Sequence, residues 1–196
     1  MIKKTNLVLF ISMSFLFFGC DYEEPEYKVL QSEEDFEIRE YPSLIIAEIK
    51  MSANTKKLRN KSFIALFDYI SGNNKEKQEI KMTVPVFQSQ AEDEKWSMSF
   101  VLPQKWKLEE VPKPNNSTIT IKQLSSQKMA VIRFSGRDTD INFSKHKKLL
   151  EAYLIKNEIE YNKTQPIYAI YNSPWTPWFL KRNEVLFVLL DNNSSQ

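Results

Sequence analysis

Side chains that could do chemistry are few in this chain, and they fall into three groups. The single histidine, His146, lies three residues after Phe143 and three or four before Leu149 and Leu150. That spacing puts it on or beside the apolar face of a helix. Facing an apolar groove, an imidazole could ligate haem iron axially; the commoner role is a partly buried ring bonded to a backbone carbonyl. The single cysteine, Cys20, closes the run "LFFGC" and has no partner for an intramolecular disulfide. The third group is the segment "YNSPWTPWFLKRNEV", residues 171–185, which crowds Trp175, Trp178 and Phe179 between prolines and follows them with Lys181 and Arg182. Pro174 and Pro177 interrupt any helix or central strand there. The rings then either plug one end of the fold, with Arg182 and Glu184 paired, or line a place where something binds.

Other chemistries find no support. One histidine cannot build a histidine metal cluster, and no nucleophile elbow, P-loop or dinucleotide fingerprint occurs. Acid pairs such as Glu109 and Glu110 sit beside lysines in loops and read as solvated surface. Three glycines in 196 residues argue against phosphate-cradling loops. The expectation is a protein that binds without catalysing, with no metal held by its own side chains.

The N-terminus is set apart before the fold is considered. Lys3 and Lys4 precede an apolar run from Leu7 to Phe18, shorter than the roughly 20 residues a spanning helix needs. Residues 1–19 resemble a bacterial lipoprotein signal, with Cys20 lipidated as the first mature residue, although Phe17 stands where leucine is commonest. The alternative is an ordinary secretory signal or a retained anchor. The expected location is the bacterial cell envelope, lipid-anchored and periplasmic or surface-facing. Without Lys3 and Lys4 the remaining 25 cations match 25 acids, so no basic stripe points to nucleic acid. Residues 20–35, "CDYEEPEYKVLQSEED", are acidic without an apolar period and read as a solvated tether. The domain is expected over 36–190, with a disordered tail at 191–196.

Within the domain, hydrophobic alternation predicts strands at "FEIREY" and "LIIAEIKM", then "IKMTVPVFQ", "KWSMSFVLP", "TITIKQL", "KMAVIRFSG", "QPIYAIYN" and "NEVLFVLL". Between the second and third lies a helix capped by Asn54 or Thr55 and stopped near Gly72, with Phe63, Leu66, Phe67 and Ile70 on one face. Lys56, Lys57, Arg59 and Lys61 cluster in its first two turns, where a cation faces the positive end of the helix dipole. A second helix spans about 141–157, its apolar positions Phe143, Leu149, Leu150, Tyr153 and Leu154. "IIAEIKMS", a helix and "MTVPVF" are echoed by "MAVIRFSG", a helix and "IYAIYN", with Ala47 and Ala130 83 residues apart. The repeated order predicts an internally duplicated α+β domain, a barrel-like antiparallel sheet carrying two helices.

Six phrases in order, "EIREYPSLIIAEI", "FDYISGNN", "KMTVPVF", "SFVLP", "AVIRFSG" and "YNSPWTPWFLKRNEV", resemble the SOUL haem-binding protein family from about Phe36 to Leu190. The resemblance implies a distorted antiparallel β-barrel with two flanking helices, built from duplicated β-α-β-β halves. It also implies haem or a related tetrapyrrole, held without a covalent bond in a hydrophobic groove beside the first helix. Phe63 and Phe67 match that helix face, with Trp175, Trp178, Phe179, Lys181 and Arg182 close by. At the places where animal members carry propionate-binding cations this chain has Asn60, Ala65 and Thr176; Arg59 or Lys61 stands one position away, and Lys181 and Arg182 match the family's basic pair. Two other readings compete: a small-molecule effector-binding or sensor domain, and an envelope scaffold without a small ligand.

Overall fold

The computed structural model describes residues 22–90 and 95–190. The expected signal at 1–19, its Cys20 and the tail at 191–196 lie outside the described residues. Nine strands form one antiparallel, curled half-barrel sheet. In chain order they are β1 (Lys28–Glu33), β2 (Phe36–Tyr41), β3 (Leu44–Met51), β4 (Val86–Gln90), β5 (Trp96–Val101), β6 (Ile119–Leu124), β7 (Gln127–Phe134), β8 (Ile167–Ile170) and β9 (Asn183–Val188). Helix α1 (Lys56–Ile70) follows β3, and α2 (Asp140–Lys156) follows β7. Thr55 caps α1 by accepting from the Leu58 amide, and Thr139 caps α2 by accepting from that of Asn142.

The spatial order β1-β2-β7-β9-β8-β4-β5-β3-β6 is a palindrome once β1 is set aside. The unit β2-β3-α1-β4-β5 is repeated as β6-β7-α2-β8-β9, and the halves meet where β4 pairs with β8. The expected duplication is therefore present, each half gaining one strand at its start. Register supports the equivalence of the two alanines. Ala47 pairs with Phe100 in one half and Ala130 with Phe187 in the other, all four buried. An alanine at each place leaves room for a helix to cross the strand beneath Leu66 or Leu150.

Strand alternation sorts the core onto two faces. On the helix face, α1 covers Ala47, Ile49, Met98 and Phe100, while α2 covers Ala130, Ile132, Val185 and Phe187. The opposite face packs Ile46, Phe87, Val101, Val131, Ala169 and Leu186 against one another. Each helix thus seals its own half, and the central strands β4 and β8 lie at the seam.

The acidic run expected as a tether is folded from the first described residues. Glu23 bridges to Thr83, and its carbonyl accepts from the Val84 amide at 3.0 Å. Pro25 is buried, and Tyr27 packs on Tyr41 with ring centroids 5.2 Å apart. β1 then pairs along β2 with every residue exposed. An edge strand with neither face in a core has no apolar alternation to betray it. Other boundaries move by a residue or two; the "IKMTVPVFQ" strand begins only at Val86.

Candidate ligand-binding site

The helix face of α1 is turned relative to the apolar stripe read from its sequence. Ser62, Leu66, Tyr69 and Ile70 are the buried positions, whereas Phe63 and Phe67 stay 39% and 48% exposed. Tyr69 takes the deep place because its hydroxyl donates to the Pro112 carbonyl at 2.7 Å. Phe63 and Phe67 instead stack on each other, centroids 6.2 Å apart and nearly parallel, with Phe63 edge-on to Phe100 at 5.3 Å. Two phenylalanines displaced sideways from a core need a reason, and a cavity beside them supplies it.

That cavity, of about 440 Å³, lies over the seam between the halves, within the size range of small-molecule sites. Its floor is Val86 and Gln88 of β4, Met98 of β5 and Ile170 of β8. One wall is α1, through Arg59, Asn60, Phe63, Ile64 and Phe67. The facing side comes from Tyr22, Met82 and Val84, and the rim from Asp138 and residues 171–174. The strand positions carry no sequence signal, because a strand residue at a seam alternates like any core residue; residues 171–174 belong to the conspicuous segment 171–185, and Arg59, Phe63 and Phe67 to the expected helix face.

The polar rim is nearly neutral. Arg59 donates to the Asn54 carbonyl and side chain at 3.0 Å and meets Asp140 at 3.4 Å. Burial would raise the Asp138 pKa, but hydrogen bonds from Lys181 and the backbone, with Arg59 nearby, hold it below the usual value.

Of the residues expected at a ligand site, Phe63, Phe67 and Arg59 come together here; six others do not line the cavity. Lys181 is buried against Asp138, its Nζ 2.9 Å from the carboxylate. Arg182 lies over the Tyr171 ring at 3.7 Å and pairs with Glu184 and Glu24, each at 2.9 Å. His146, on α2, donates its Nδ1–H to the Asn142 carbonyl oxygen at 2.8 Å, since a carbonyl only accepts, and stacks on Phe134 at 3.8 Å. Trp175, Trp178 and Phe179 are 92%, 56% and 60% exposed, so the segment does not plug the sheet's end. The expected Arg182–Glu184 pairing does exist, as part of a larger network on the opposite face of the sheet. Glu184, fully buried, accepts from Arg39 at 2.9 and 3.1 Å, from Tyr171 at 2.8 Å and from Arg182 at 3.0 Å.

A second, larger cleft of about 530 Å³ opens between the start of β3 and the loop after β5. Its lining mixes Glu26, Ser43, Gln104, Lys107, Glu109 and Gln123 with Leu44, Ile45 and Trp106, and it lacks the paired aromatic wall of the first. Among the described residues no cluster of acids, histidine and cysteine could hold a metal ion.

Comparison with known proteins places this architecture. The model of the SOUL heme-binding protein family matches residues 22–188. The chain belongs to that family. The match begins at Tyr22, in keeping with the folded N-terminal segment. Among curated proteins none matches. Solved structures share the fold at low identity. The EcmrR C-terminal domain has a TM-score of 0.58 at 11% identity, covering 84% of this chain and 98% of that one. A Listeria innocua protein described as a hydrolase has 0.58 at 7%, covering 82% and 94%.

Proposed function

We propose that this SOUL-family chain binds haem or a related tetrapyrrole non-covalently in the seam cavity, without catalysing a reaction, and is held at the bacterial envelope by lipid on Cys20. The observation that carries the proposal is the pair Phe63 and Phe67, turned out of the core to wall a cavity with a largely apolar floor. A planar macrocycle would lie against these stacked rings, its carboxylates toward Arg59 and Asn60 at the mouth. No imidazole lies among the lining residues, whose soft donors are the thioethers of Met82 and Met98, so binding is hydrophobic first, with weak axial ligation at most. Family membership supports the tetrapyrrole class, and the apolar run ending at Cys20 supports the anchor.

Hemin titrated into the full chain in detergent should give a Soret band. Covering two half-exposed phenylalanines is worth roughly 1–3 kcal/mol. Phe63→Ala with Phe67→Ala should therefore weaken hemin about five- to 150-fold, while His146→Ala leaves it within about twofold. Equal hemin affinity for the Phe63→Ala, Phe67→Ala double variant and the wild type would refute the proposal.

A further inference from the structure

Between β8 and β9, the rings of Trp175, Trp178 and Phe179 neither pack into the core nor line the cavity. We infer that they form a docking surface for a phospholipid bilayer, which seats the cavity mouth at the lipid interface. Trp175, Trp178, Phe179 and Leu180 are 92%, 56%, 60% and 59% exposed, side by side in one short loop. The loop is held in shape rather than left loose. The Gly136 amide donates to the Trp178 carbonyl at 3.0 Å, the Thr176 amide to the Ser173 carbonyl at 3.0 Å, and the Leu180 amide to the Pro177 carbonyl at 2.9 Å. Trp178 and Phe179 stand edge to face at 5.7 Å. A braced turn that displays large rings differs from a scattered exposed residue and marks a surface that meets something apolar.

Three observations select a bilayer as the occupant. Paired indoles with an amphipathic ring suit the headgroup level, where one end is apolar and the other wet. Exposed cations stand on the neighbouring elements: Arg137 follows Gly136, whose amide meets Trp178, and Lys56 and Lys57 open α1, the helix that walls the cavity. Each basic residue near an anionic surface adds roughly 1 kcal/mol. The third is the position of Tyr22. Tyr22 lines the same cavity as Pro174, and only Asp21 separates it from Cys20. At about 3.3–3.6 Å per residue, an acyl chain on Cys20 would begin within roughly 7 Å of Tyr22. This last argument rests on the lipid-anchored reading above; the first two do not. A flat apolar ligand could then pass between lipid and cavity without crossing water.

The full chain, reconstituted into phosphatidylcholine–phosphatidylglycerol vesicles with brominated acyl chains, tests the inference through tryptophan emission. Trp175 and Trp178 should give a blue-shifted component that the bromolipid quenches. The double variant Trp175→Phe, Trp178→Phe should lose that component and leave Trp96 and Trp106 untouched by bromolipid. Equal quenching in both proteins, or quenching of these two rings by aqueous iodide instead, would overturn it. Shielding from both quenchers in native membranes, lost on purification, would assign the surface to a protein partner and overturn it equally. Hemin affinity in detergent separates the readings. Lost lipid quenching with hemin binding intact removes only the docking surface, and the reverse removes only the tetrapyrrole.

Discussion

Glu184 is a carboxylate with no access to water, ringed by Arg39, Arg182 and Tyr171. Burial alone would raise its pKa, but the Arg39 hydrogen bonds and charge, with Arg182 and Tyr171, hold it below the ordinary range. Its folded value thus lies beneath the unfolded one, so its contribution to stability is present above about pH 4.5 and is lost as pH falls through the lower folded value. Tyr41 and Tyr171 act at the other limb. Burial pushes Tyr41 up to about 12 and Tyr171 well above its usual value, and their contributions are lost as pH rises beyond about 10. Urea midpoints should therefore form a plateau between about pH 5 and 10 and fall on both sides. Removing one member of a buried pair costs about 3–5 kcal/mol, so Glu184→Ala should lower Tm by roughly 6–20 °C; a Tm within 2 °C of wild type would show that the network is not structural. Little of this was legible beforehand: "KRNEV" announces an adjacent Arg–Glu pair, but not that Arg39, 145 positions away, completes it. Long-range pairing through a sheet leaves no local spacing to read.

At the scale of elements, period and punctuation located both helices, and the echo between "IIAEIKMS" and "MAVIRFSG" located the duplication. Which face of α1 turns inward is not decided by the pattern, because Phe63, Leu66, Phe67 and Ile70 satisfy helical spacing as well as Ser62, Leu66, Tyr69 and Ile70 do. Tyrosine hydrogen bonding to the Pro112 loop, invisible in a local pattern, decided it. The two alanines give the sharper test of the repeat. Ala47→Leu and Ala130→Leu each push methylenes into a packed strand–helix crossing, a change costing about 1–3 kcal/mol. Both should lower Tm by similar amounts, roughly 2–12 °C. A loss at one site and none at the other would mean that the halves differ in packing despite their matched register.

Across the whole molecule, the duplicated halves explain where a ligand can go. Each helix covers the core of its own half, so the join between β4 and β8 is left for other use, and the α1 phenylalanines lean over it. Family and fold class could be read from six phrases in order, whereas the cavity's floor could not, since Val86, Gln88, Met98 and Ile170 converge only through register. The larger cleft near Trp106 offers a rival address within the same protein. Amide resonances recorded with and without ferric hemin decide between them, because the paramagnetic iron broadens only what lies near it. Loss of signal at residues 60–67, 86, 88, 170 and 172 with signals intact at residues 43–45 and 104–108 is the result this account predicts. Broadening confined to the second group, with the first unaltered, would contradict it.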